Sequence, residues 1–157
     1  MELCFWLYFY IYSIILNCVK GLHVIHLNIR SLPNKIDLLR AWVSYNTPHV
    51  ITLSETWLNN TISDLEMNIN NYILYRCDRG TRGGGVATYV SSKLSSELVT
   101  PNVNILHFEC LFVKIILHEN KHLTIGNIYR NPSAPTETTN CIISTINSIV
   151  HPSVGNS

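Results

Sequence analysis

Charge is scarce in this chain: Asp, Glu, Lys and Arg make up 13% of its 157 residues, and the net charge is +1. No overall basic field exists to draw in a polyanion, so any contact with nucleic acid must come from a local patch. The five cysteines, Cys4, Cys18, Cys77, Cys110 and Cys141, include no close pair of the kind that holds structural zinc. They read as reduced, mostly buried thiols. Glycine is concentrated in one place, Gly83 to Gly85, without the GxGxxG spacing or the GKS/T ending of a nucleotide-cradling loop. This triplet reads as a tight turn into a strand. No internal repeat is present, which excludes solenoids and propellers.

Apolar residues, at 46%, are plentiful enough for one domain with a real core. The run Leu3 to Val19 carries no charge, and its length lies at the lower edge of what spans a bilayer. Glu2 stands where a secretory signal would be positive, and Asn17, Cys18 and Val19 make a poor cleavage site, which argues against a signal peptide. The segment reads either as a membrane anchor or as an appended N-terminus. The chain therefore divides into an apolar segment 1–20, a folded portion 21–150 and a tail 151–157.

From His23 to Arg30 the sequence HVIHLNIR is rich in β-branched and apolar residues without strict alternation, as in a strand covered on both faces. Ser31-Leu-Pro33 supplies a helix start, and Ile36, Leu39 and Val43 recur at helical spacing up to Tyr45. A second apolar strand, HVITLSE, follows the break at Thr47-Pro48, so the unit predicts two parallel, neighbouring strands with their C-terminal ends on one edge. NYILYRCDR and VATYV around the triple glycine read as a strand, loop, strand unit. The runs from Ile105 to Leu117 and from His122 to Tyr129, separated by HENK, predict an antiparallel pair. Thr136 to Val150 reads as a helix with Cys141, Ile142, Thr145, Ile146 and Ile149 on one side.

Ligands of open sheets sit at the carboxyl ends of parallel strands. Two polar residues fall there. Asn28 interrupts an apolar strand near its end, and a buried amide left without a partner costs about 1–3 kcal/mol. Glu55 ends the second strand in SETWL and is a hard oxygen ligand of the kind magnesium uses. The competing accounts are a turn-capping asparagine and a solvated strand-end glutamate. Arg76, Arg79 and Arg82 form a small basic cluster able to touch a phosphate backbone, or equally to sit solvated in a loop. Glu109, inside an apolar strand, is best read as a paired core carboxylate. Trp42 and Trp57 read as core or rim packing.

Taken in order, LNIRSLPNK, ITLSETWL, YRCDRGTRGGGVATYV and IGNIYRNPS resemble the successive landmarks of the endonuclease/exonuclease/phosphatase superfamily. The resemblance spans Leu22 to Pro135 and is nearest to the apurinic-endonuclease-like endonuclease of non-LTR (LINE-type) retrotransposons. It implies an α+β fold, a partial deoxyribonuclease-I-like two-sheet sandwich flanked by helices with its second half missing. It also implies a Mg2+-dependent phosphodiesterase acting on DNA, in which Glu55 is a metal ligand, Asn28 belongs to the catalytic network and Tyr129 of YRNP places a hydroxyl near the scissile phosphate. Arg76, Arg79, Arg82 and Arg130 become DNA-contact candidates, and the setting implied is nucleus or cytoplasm, or a membrane if residues 1–20 anchor the chain.

The departure from the family pattern lies in the base. No GDFN-like segment follows the helix after YRNP, and none of the seven histidines follows an aspartate as in the family's SDH-like segment. A site left with one carboxylate binds magnesium weakly. The expectation is an impaired endonuclease, with a non-catalytic remnant or interaction module as the alternative.

Overall fold

The structure, a computed structural model, describes residues 21–80, 83–101, 107–117 and 121–151. The apolar segment 1–20, with its anchor reading, lies outside these residues, as do Arg82 and most of the tail. Among the described residues no helix is long and apolar enough to cross a membrane.

The first strand, β1 (Val24–Asn28), leads through α1 (Ile36–Asn46) into β2 (Val50–Ser54), and the two strands pair in parallel with Asn28 opposite Ser54. Two further strands, β3 (Tyr72–Cys77) and β4 (Val86–Ser91), pair antiparallel and complete a four-stranded sheet in the order β1-β2-β4-β3. The second sheet has the order β5-β6-β7, built from β5 (Ser95–Val99), β6 (Phe108–Ile116) and β7 (His122–Arg130), all antiparallel. A final helix, α2 (Glu137–Val150), follows.

Side-chain alternation along the strands orders these elements in four layers. Ile51 and Leu53 of β2 and Ala87 and Tyr89 of β4 turn toward α1, where they meet Leu39 and Val43. Their neighbours Val50 and Val90 point the other way, onto Val113, Ile115 and Ile125 of the second sheet. Phe108, Cys110 and Phe112 on that sheet's far face are covered by Cys141, Ile142 and Ile149 of α2. The central strand β2 is buried at every position, whereas β1, read from HVIHLNIR as covered on both faces, stands at the end of the sheet order with none of its five residues buried.

Two further elements differ from the sequence reading. The helix begins at Ile36, not at Ser31, because residues 29–32 continue the parallel pairing instead. Ile29, Ser31 and Leu32 donate their backbone N–H to the carbonyls of Ser54, Glu55 and Thr56, each at 2.9 Å. Lys35 then reaches back, its ammonium donating to the carbonyls of Ile29 and Arg30 at 2.5 Å. The strand β5 carried no sequence signal, since Ser95, Glu97 and Leu98 are exposed and its SSELV lacks an apolar face.

Candidate active site

The carboxyl ends of β1 and β2 meet the end of β7 at one edge of the sandwich. Glu55 stands there immediately after β2, with its backbone in the left-handed region at φ 55°. Arg30, Ser31 and Trp57, all beside it, are left-handed too. Such backbone costs roughly 1–2 kcal/mol per residue. Four such residues around one carboxylate mark a place where the surrounding fold dictates conformation.

The restraint comes from both sides. The carbonyls of Glu55 and Thr56 accept from Ser31 and Leu32, and the loop's own N–H groups donate to the triple glycine: Thr56 to the Gly85 carbonyl at 3.3 Å and Trp57 to that of Gly84 at 3.0 Å. The glycines are required. A Cβ on Gly85 would lie 2.6 Å from the Thr56 hydroxyl, and one on Gly84 would lie 2.6 Å from the Arg79 guanidinium, at φ values of +82° and +69°.

Glu55 accepts hydrogen bonds at both oxygens, from the Tyr129 hydroxyl at 2.5 Å and from the Trp57 indole N–H at 3.0 Å. Partial burial pushes this carboxyl up, but the two hydrogen bonds, with the positive fields of Arg30 and Arg79, outweigh burial and hold it below the usual glutamate value. Glu55 is therefore a carboxylate at neutral pH. Burial and the hydrogen bond to Glu55 push the Tyr129 hydroxyl up to about 12, so the phenol stays a proton donor. Asn28, paired with Ser54, lies on the same edge with an exposed amide. The structure thus brings Asn28, Glu55 and Tyr129, singled out in sequence, to one place.

The arginines divide differently. Arg76 is committed inside the fold, donating to Asp78, to Asp64 at 2.8 Å and to the carbonyls of Asn59 and Ile62. Arg79 forms a bidentate pair with Glu109 at 2.7 and 3.1 Å, and its guanidinium carbon lies 5.6 Å from the centre of the Tyr129 ring. Arg130 folds back onto the carbonyls of Ala134 and Pro135.

Two contributors escaped the sequence reading. Trp57 donates to Glu55, a role beyond the packing expected of it. Asn127, 2% exposed, reaches from β7 across the sandwich and donates to the carbonyls of Leu53 and Ala87 at 3.0 and 2.9 Å. Its signal was available: a lone amide inside the apolar HLTIGNIY is as conspicuous as Asn28 inside HVIHLNIR. Asn127 to Leu53 and Tyr129 to Glu55 span the same 74 residues, so the two contacts are successive rungs between β2 and β7.

Among the described residues, no group of three or more His, Cys, Asp or Glu side chains could hold a metal ion. The donor set still suits a hard cation bound through one carboxylate. Glu55 keeps lone pairs beyond its two hydrogen bonds, and magnesium commonly takes one or two carboxylates and completes its shell with water and phosphate oxygens. Glu109 adds nothing to that set, being taken by Arg79 and by the Gly85 N–H at 3.3 Å. A cavity of about 730 Å³ lined by Arg40, His49, Asn68, Tyr72 and Lys93, among others, opens at the opposite end of the first sheet, away from all of these residues.

The family model described as "Endonuclease/Exonuclease/phosphatase family" matches residues 25–141. The fold is similar to that of TDP2 from D. rerio, crystallised with a single-strand DNA product, with a TM-score of 0.59 at 15% identity, over 83% of this chain and 55% of that one. It is also similar to the human Nocturnin catalytic domain, solved with a bound sulfate anion, with a TM-score of 0.57 at 11% identity, over 82% of this chain and 58% of that one. The chain thus spans little more than half the length of these structures. No curated protein matches it in sequence.

Proposed function

This chain belongs to the endonuclease/exonuclease/phosphatase family, and from that premise we propose that it is a Mg2+-dependent phosphodiesterase of the DNA-endonuclease kind, of retrotransposon origin, with impaired activity in these 157 residues. One observation carries the reading: an ionised Glu55, held by Tyr129 and Trp57 where β1, β2 and β7 converge. The ordered motifs LNIRSLPNK, SETWL, RGGGVATYV and YRNP support the retrotransposon origin, and the single-strand DNA product bound by TDP2 of D. rerio supports DNA as substrate.

Glu55 would hold the metal. When bound there, magnesium would neutralise charge on the phosphate's oxygens and favour departure of the leaving oxygen. The chain's own groups act by position. Tyr129 keeps its proton, which it donates to Glu55; with a metal on Glu55, the hydroxyl would be free to turn that one proton toward a phosphate oxygen. Asn28 offers an exposed amide on the same edge, able to fix a second phosphate oxygen. Trp57 pins the other side of the carboxylate. None of these groups is a base with a pKa near neutrality, so water activation is the missing contribution and supports low activity. Arg130 and Arg82 remain candidates for the DNA backbone, while Arg76 and Arg79 have their guanidinium groups engaged by carboxylates.

Incubation of the purified chain with supercoiled plasmid and magnesium tests this. Slow nicking lost in Glu55→Gln is expected. Robust nicking that vanishes in Glu55→Ala would overturn the impairment, and nicking indifferent to Glu55 would overturn the site.

A further inference from the structure

We propose that Arg79, locked by Glu109, is a positioning residue that sets the Tyr129 ring so that its hydroxyl meets Glu55. The inference rests on reading Glu55 and Tyr129 as the reactive edge, and it assigns that edge a supporting clamp.

Glu109 and Tyr129 are direct partners across β6 and β7, both facing the first sheet. A glutamate side chain at 8% exposure requires hydrogen-bonding partners. It receives three donors: Nε and Nη2 of Arg79 and the backbone N–H of Gly85. A bidentate pair fixes the plane of a guanidinium as well as its place. The guanidinium carbon so held lies over the Tyr129 ring, 5.6 Å from its centre and within the range of a cation–π contact. The same ring ends in the hydroxyl that donates to Glu55. The interactions therefore run without a gap from Gly85 through Glu109, Arg79 and Tyr129 to Glu55. The backbone is shaped around the clamp, because Gly84 leaves room for Arg79 and Glu109 that any Cβ would occupy, at 2.6 and 2.9 Å. A salt bridge serving stability alone would need neither the ring beneath it nor this clearance. Glu109, the cross-strand partner of Tyr129, is thereby assigned to orientation and not to metal binding.

The experiment reads the Tyr129 hydroxyl directly, without metal or turnover. The whole chain is labelled at the tyrosine 13Cζ, the Tyr129 resonance is assigned with Tyr129→Phe, and its shift is followed in Arg79→Gln, Arg79→Lys, Glu109→Gln and Glu55→Gln. Tyr45, 89% exposed, supplies the reference for a solvated phenol. The expected result is that Arg79→Gln and Glu109→Gln each move the Tyr129 signal toward the Tyr45 position by about as much as Glu55→Gln does, while Arg79→Lys, which keeps the charge without the fork, leaves it in between. An unmoved Tyr129 signal in both Arg79→Gln and Glu109→Gln, with only a lowered melting temperature, would overturn the proposal. Should Arg79→Gln fail to fold, Arg79→Lys and Glu109→Gln decide by the same shift. Because no magnesium is present, a failure of Glu55 to bind metal would leave this outcome intact and count against the phosphodiesterase reading alone.

Discussion

Replacing Asn127 with aspartate changes one atom and inverts the chemistry of the link between the sheets. The amide nitrogen that donates to the carbonyls of Leu53 and Ala87 becomes an oxygen facing two acceptors. At 2% exposure an ionised carboxylate cannot remain there, so the folded state must protonate it. Holding a carboxyl of ordinary pKa of about 3.9 in its acid form at pH 7 costs roughly 1.4 kcal/mol for each of about 3 pH units, or about 4 kcal/mol. The acid has one O–H where the amide had two N–H groups, and the lost hydrogen bond adds about 1 kcal/mol. The total at pH 7 is about 5 kcal/mol, equivalent to a fall in melting temperature of roughly 10–20 °C for a chain of this size. The folded-state pKa of the new carboxyl is raised, so the folded state binds more protons than the unfolded one and the deficit grows with pH. Near pH 4 only about 1.5 kcal/mol of it should remain. Urea unfolding of the variant against the parent at the two pH values is the assay. A deficit that does not depend on pH, or one below about 1 kcal/mol at pH 7, would refute the reasoning that Asn127 acts as a buried donor.

Three further outcomes follow from the same geometry. Gly84→Ala places a methyl group against Arg79 and Glu109 at positive φ, so it should destabilise the chain by about 1–3 kcal/mol and displace the Tyr129 13Cζ signal; a variant with parental stability and spectrum would contradict the clearance argument. The carboxyl of Glu55 titrates below its ordinary value of 4.5 in the fold, so its contribution is present above that value and lost as pH falls through the lower folded-state pKa. Glu55→Gln should therefore flatten the acid limb of a stability-against-pH curve, and an unchanged limb would refute the shift. Trp57→Phe keeps an aromatic side chain but removes the indole donor to Glu55, and calorimetric titration should show altered magnesium affinity with little change in melting temperature. Equal magnesium binding in parent and variant would separate Trp57 from the site.

Much of the fold was legible because the largely apolar β2 and β4 are marked as covered strands and the helix between β1 and β2 dictates parallel pairing, although the same double cover read into β1 failed at a strand that ends the sheet order. Asn28 and Glu55 were visible as polar residues ending apolar runs. Tyr129 was not visible by pattern, since a tyrosine in a strand is ordinary, and it emerged only through the family's YRNP motif. The Arg79 to Glu109 pair was half legible: a glutamate within an apolar run must be paired, but nothing in the spacing names a partner 30 residues earlier. The start of α1 was misplaced because local signals at Ser31 and Pro33 were overridden by backbone pairing with residues 54–56, a contact that no local pattern encodes. Charge-paired Arg76 shows the same limit, for its carboxylates at Asp64 and Asp78 come from loops that the sequence marks only as polar.

The 74 residues separating Glu55 from Tyr129 also bear on how the site comes into being. During synthesis the β1-α1-β2 unit leaves the ribosome long before β7, so the left-handed loop around Glu55 must wait, exposed and without its phenol partner, until the second sheet closes over it. Contacts of such sequence separation are slow to form, because chain closure must come before any reward. The carboxylate edge should therefore be among the last parts of the chain to gain amide-exchange protection as it folds, and among the first to lose it when the two sheets part.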